Sequence, residues 1–170
     1  RQLCGKGLQR IDGQEVFVQP LGKQAKLVIC GAGHVATALI RMAKLLNFEI
    51  VVLEDRPLFA ESARREGADQ VFCGDYAELL RQMPGSRDHY FVCMTRGHRF
   101  DQECLLEIFK KSHAYIGMMG SKKRSFLMKK DLVEAGFAPE LVESLHAPIG
   151  LPIGAQTPAE IALSVMSEIV

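Results

Sequence analysis

The chain carries almost no net charge: 21 Lys and Arg stand against 20 Asp and Glu in 170 residues, a formal charge of +1. It has no sustained basic stripe. Lys122 to Lys130 is the densest basic stretch, and Leu127 and Met128 interrupt it. This balance argues against a nucleic-acid partner. No apolar run approaches the ~20 residues of a membrane span, so no membrane partner is expected. No signal peptide opens the chain, and its first residue is Arg, as in a fragment or a processed form. No C-x-x-C pair occurs among Cys4, Cys30, Cys73, Cys93 and Cys104. The five therefore read as mostly buried thiols of a reducing cytoplasm, not as a disulfide framework or a zinc site. No H-x-x-x-H or H-E-x-x-H supports a metal, and no G-x-S-x-G elbow supplies a nucleophile. Ser121 has no obvious base beside it in sequence. No catalytic residue is assigned.

The chain is 48% apolar, enough for one ordinary domain with a buried core. Residues 1–22 differ from the rest. Asp12-Gly13 suits a hairpin turn, Glu15 to Gln19 alternates toward a short strand, and Pro20-Leu21-Gly22 breaks the pattern. This stretch reads as a leader or the remnant of a preceding N-terminal domain. An open strand edge near Glu15 would permit homodimerisation.

Residues 23–170 alternate strands and helices. Strands are expected at 27–30, 50–53, 70–73, 90–94 and 114–118. Helices are expected at 34–46, 57–66, 76–83, 102–111 and 122–135, with a short one at 139–145. Thr157-Pro158 opens the last helix with a cap and a proline at its first position. Helices between strands imply parallel pairing, hence an α/β fold with a Rossmann-like, doubly wound sheet.

Two glycine turns mark the expected site. Gly31-Ala32-Gly33-His34-Val35-Ala36 is G-x-G-x-x-A between a strand and a helix. Gly31 permits the tight turn, and Gly33 lets a phosphate approach the backbone. The acidic pair Glu54-Asp55, with Arg56 after it, stands where an NAD ribose would be held. The second turn, Tyr115-Ile116-Gly117-Met118-Met119-Gly120-Ser121, leads into Lys122-Lys123-Arg124. A helix start already carries about half a positive charge and unpaired N–H groups. Cations there need an anion or a carboxylate opposite, which points to a phosphate-bearing ligand or to internal partners. Arg96 and His98 follow the fourth strand of the alternation, and His146 opens the final loop. Asp55 and Asp101 read alternatively as salt-bridge partners of these cations. The loop containing Pro148, Gly150, Pro152 and Gly154 reads either as a lid hinged at His146 or as a plain connection.

Taken in order, five motifs resemble one family: Gly31 to Ala36, Glu54-Asp55-Arg56-Pro57, Thr95-Arg96-Gly97-His98, Tyr115 to Lys123, and His146 to Ala162. The sequence resembles the Rossmann domain of the XdhC/CoxI family, accessory factors of xanthine dehydrogenase and related molybdenum hydroxylases. The resemblance implies a non-catalytic chaperone that binds the molybdenum cofactor (molybdopterin or its dinucleotide), aids its sulfuration and delivers it to the hydroxylase apoenzyme. A cysteine desulfurase would be a further partner. Gly31, Gly33 and His34 would lie against phosphate or pterin, Arg96 and His98 would meet its polar edges, and Lys122, Lys123 and Arg124 would supply charge. Longer family members carry a Cys-Gly-rich N-terminal segment, which only Cys4-Gly5-Lys6-Gly7 echoes here. The alternatives are an NAD(P)-dependent oxidoreductase, with His98 or His146 as proton donor, and a nucleotide-sensing domain.

Overall fold

A computed structural model describes residues 7–11, 13–18 and 24–170. Cys4 and the Asp12 and Pro20-Leu21-Gly22 positions of the expected leader lie outside the described residues. The first elements form a separate antiparallel hairpin, β1 (Gly7–Ile11) with β2 (Gln14–Val18). Gly13, at φ +85°, stands between them in a conformation that glycine adopts without strain.

The main domain alternates β3 (Lys26–Cys30), α1 (His34–Leu45), β4 (Glu49–Glu54), α2 (Pro57–Arg65), β5 (Gln70–Cys73), α3 (Tyr76–Gln82) and β6 (His89–Cys93). It continues with α4 (His98–Ile108), β7 (Tyr115–Met118), α5 (Lys122–Glu134), α6 (Pro139–Glu143) and α7 (Pro158–Ile169). The five strands form one parallel sheet in the order β5-β4-β3-β6-β7. The order reverses between β3 and β6, and the two pair in register from Lys26↔His89 to Cys30↔Cys93.

Strand periodicity divides the core between two faces. Leu27, Ile29, Ile50, Val52 and Val92 meet buried residues of α1, α2 and α7 on one face. Val28, Cys30, Val51, Leu53, Phe91, Cys93 and Ile116 meet those of α3, α4, α5 and α6 on the other. Strands covered on both faces are apolar throughout, which is why these segments read as short continuous runs. β5 differs because it is an edge: Gln70, Phe72 and Cys73 are exposed. Cys73 is thus a surface thiol, whereas Cys30, Cys93 and Cys104 are buried.

One helix start departs from the sequence expectation by a full turn, and one loop is settled by its contacts. α4 begins at His98, four residues ahead of the expected start, because Gly97 serves as its N-cap. Of the loop read as a lid or a plain connection, the 146–151 part is fixed to β7 and α7. His146 lies parallel to Gly117 as an isolated bridge. Its N–H donates to Ile116 O at 3.0 Å, and its carbonyl accepts from Met118 N–H at 2.9 Å. The Ile149 N–H donates to Met118 O at 3.0 Å, and Ser164 Oγ donates to Leu151 O at 2.6 Å. A Cβ at Gly150 would stand 2.3 Å from Ser164 Oγ, so the loop is laid directly on α7.

Candidate functional site

In an open parallel sheet a ligand binds beyond the strand carboxyl ends, at the point where strand order reverses. Here that point lies between β3 and β6. Gly31 sits at φ +102°, and a Cβ on it would stand 2.5 Å from Met94 O. Only glycine fits a turn pressed so closely on the neighbouring strand. α1 and α4 start on either side of this turn. Their N-caps are Gly33 and Gly97, and neither has a side-chain cap. Both helices therefore keep first-turn N–H groups available at the carboxyl edge. α3, α5 and α7 differ, being capped by Asp75, Ser121 and Thr157.

Glu54 ends β4 and has no exposed surface. Its Oε2 accepts from Ala32 N–H at 2.6 Å and Arg56 Nη2 at 3.1 Å. Its Oε1 accepts from Arg56 Nε at 2.8 Å, from the N–H groups of Asp55 and Arg56 at 3.1 Å each, and from the Tyr76 hydroxyl at 3.3 Å. Burial pushes the carboxyl up, but these donors, Arg56 foremost, outweigh it and bring it down to about 2. The Glu54 carboxylate is thus an internal anion that takes the Ala32 N–H of the first glycine turn. It offers no surface to a ribose. Arg56 in turn lies over the Phe59 ring, 3.6 Å from its centroid.

Asp55 faces outward and bonds Arg96 Nη2 at 2.6 Å. The Tyr76 hydroxyl, 3.3 Å from Asp55 as well as from Glu54, ties the two carboxylates together. Burial and the adjoining Glu54 raise the Asp55 carboxyl, against the opposing pull of Arg96. Burial also raises Asp101, which is held by the Thr95 hydroxyl and by Arg124. Arg124 is therefore neutralised internally, though its Nε is buried without a partner. Ser121 Oγ accepts from Arg124 N–H at 3.2 Å and caps α5, and Gly120 lies 3.3 Å from the Arg124 side chain as measured from its would-be Cβ.

The structure thus joins Glu54, Asp55, Arg56 and Arg96 in one network beside Gly31, and Gly120, Ser121 and Arg124 in a second with Asp101. His98 Nε2 turns away to Asp131, 3.0 Å off on α5. His146 stands beside the middle of β7, stacked on Tyr115 and 3.1 Å from Glu168, apart from the strand carboxyl ends. His34 is exposed at the start of α1 and, with Gly33 and Ser62, lines a cleft of about 230 Å³. Lys122 and Lys123 are exposed, and no carboxylate among the described residues lies within ion-pair distance of either. Lys122 borders a second cleft of about 390 Å³ whose wall is the 148–155 loop. Sequence reasoning overlooked Tyr76, because a tyrosine at the start of a short helix gives no local sign that it spans two carboxylates.

A parallel sheet with G-x-G-x-x-A after its central strand and two helix starts without side-chain caps at the switch point defines a Rossmann-type domain. Within that class, residues 27–169 match the model of the XdhC Rossmann domain, and the chain belongs to this family. It is 32% identical over 158 residues to the uncharacterized protein YqeB of Escherichia coli K12, covering 91% of this chain and 28% of that protein. It is 29% identical over 155 residues to a probable xanthine dehydrogenase subunit of Bacillus subtilis, covering 91% of this chain and 45% of that one. A solved structure described as a xanthine dehydrogenase from Bacillus halodurans superposes with a TM-score of 0.74 at 31% identity, over 86% of this chain and 41% of that one. An anaerobillin reductase of E. coli O157:H7 shares the fold, with a TM-score of 0.54 at 15% identity over 85% and 90% of the two chains. The chain spans less than half the length of the two curated relatives.

Proposed function

We propose that this domain is the cofactor-handling part of an accessory factor for a molybdenum hydroxylase of the xanthine dehydrogenase type. It holds the phosphate-bearing end of the molybdenum cofactor, supports its sulfuration and hands it to the hydroxylase apoenzyme in the cytoplasm, with a cysteine desulfurase as sulfur donor. One observation carries the reading: positive potential is left over at the strand carboxyl edge. Arg56, Arg96 and Arg124 each have an internal carboxylate. Lys122 and Lys123 have none among the described residues, and α1 and α4 begin there without side-chain caps. Unpaired N–H groups and unneutralised lysines are the donor set that a phosphate or pyrophosphate requires. Gly33 and His34 would lie against it on the α1 side, and Lys122 and Lys123 on the α5 side.

The acidic pair speaks against the dehydrogenase reading, because Glu54 is buried on the Ala32 N–H and Arg56, and Asp55 is paired with Arg96. Titration with anaerobically released molybdenum cofactor, run beside NADH, tests the proposal. The chain is expected to bind the pterin. Lys122→Ala/Lys123→Ala is expected to weaken binding about tenfold and to flatten its salt dependence. NADH binding without pterin binding, or unchanged affinity in the double variant, would overturn it.

A further inference from the structure

Three thiols converge inside the layer between the sheet and α4. Cys30 ends β3, Cys93 ends β6, and the two are register partners. Cys104 lies on α4, which packs over this face. None of the three has exposed surface. Their sulfurs all lie within 4.8 Å of one another, the one such group of three His, Cys, Asp or Glu side chains among the described residues. Because they come from three separate elements, no C-x-x-C spacing announces them.

We propose that Cys30, Cys93 and Cys104 form a three-coordinate site for a soft monovalent metal ion, copper(I). Cysteine's use as a small apolar side chain accounts for the burial of each residue. The meeting of three sulfurs at one point is a further fact, and it fits an ion. Thiolate–metal bonds of about 2.3 Å place the sulfurs around a trigonal ion ~4.0 Å apart. The observed cluster needs each sulfur to close in by only a few tenths of an ångström.

The donor set selects the metal. Sulfur-only ligation favours soft ions over magnesium, calcium or manganese. Zinc in a structural site takes four ligands. No fourth His, Cys, Asp or Glu among the described residues joins this group, and the neighbouring buried carboxylate, Asp101, is committed to Thr95 and Arg124. The same buried cluster is built mainly of apolar side chains, among them Val28, Leu53, Phe91 and Leu105, and the Tyr76 hydroxyl within it is committed to Glu54 and Asp55. A three-sulfur site without a fourth ligand suits copper(I). Binding exchanges S–H protons for metal–sulfur bonds, so protons pass to the buffer and copper keeps its oxidation state. The site is independent of the cofactor reading above.

The test uses the chain with Cys4→Ser and Cys73→Ser, which removes the two thiols outside the cluster. It is titrated anaerobically with copper(I) against a chromogenic copper(I) chelator, and the loaded protein is measured by copper X-ray absorption. One copper per chain bound by three sulfurs is expected, with a melting temperature that rises with free copper. A further Cys104→Ala change, with folding checked by circular dichroism, is expected to lower copper affinity by more than the ~10–100-fold typical of an outer-shell partner. Stoichiometry and coordination number decide the matter even where that variant fails to fold. The proposal is overturned if the folded parent yields all its copper to the chelator, if its copper is held by fewer sulfurs or by nitrogen and oxygen, or if folded Cys104→Ala keeps the parental affinity.

Discussion

Replacing Glu54 by Gln removes the anion around which the first glycine turn is assembled. The carboxyl stands at about 2 in place of the ordinary 4.5. At ~1.4 kcal/mol per pH unit, that difference makes the ionised form worth roughly 3 kcal/mol to the folded state. The group has no exposed surface, so solvent screening does not discount this figure. Gln keeps the shape but turns an N–H₂ toward donors from Arg56, Ala32 or Tyr76, leaving hydrogens opposed and the Arg56 cation short of a partner. Glu54→Gln should therefore lower the urea midpoint at pH 7 by about 1 M or more. The sign of the pH dependence follows from a depressed folded-state pKa. The stabilisation is complete above about 5 and is lost as pH falls from 4.5 toward 2. The gap between wild type and variant should narrow by roughly 1 kcal/mol between pH 7 and pH 3.5. Equal midpoints at pH 7, or a gap that stays constant on acidification, would refute the assignment of Glu54 as an internal counter-ion.

Two further substitutions probe the same framework. Gly31→Ala should cost at least about 2 kcal/mol, because the new Cβ meets the Met94 carbonyl and the backbone is left-handed there; a melting temperature equal to wild type would contradict the close approach of the turn to β6. Thr157→Ala removes one half of the capping box that opens α7. It should cost about 1 kcal/mol, or ~2–4 °C in melting temperature; a melting temperature equal to wild type would contradict the cap.

Most of the architecture could be read from the chain. Apolar runs such as Leu27 to Cys30, closed by glycine turns, carry the strand periodicity and its interruptions locally, so the alternation of elements is written in short windows. The start of α4 was less legible. Thr95-Arg96-Gly97 has the composition of a loop, and a glycine N-cap lacks the side-chain oxygen that marks a helix start. The site was legible as a set of charges but not as a set of pairs. Arg96 meets Asp55 across 41 residues of sequence, and Arg124 meets Asp101 across 23. Such pairings depend on strand order, which no local window contains. The exposure of Cys73 has the same origin: its strand is apolar enough to be central, and only the order of the sheet makes it an edge. The 146–151 segment was ambiguous because its fixity comes from contacts at Gly117 and Gly150, positions where the missing side chain is what lets one backbone settle on another.

The bridge between His146 and Gly117 leaves the sheet lopsided. One margin is sealed by the chain's own return stroke, with the amide and carbonyl of Met118 and the carbonyl of Ile116 already engaged. The opposite margin, Gln70 to Cys73, has β4 alone as its neighbour in the sheet. Backbone-templated growth, whether orderly recruitment of a foreign strand or the first step of clumping in a weakened variant, has a docking register there and none beside β7. A lysine or proline placed in that four-residue stretch would blunt such growth.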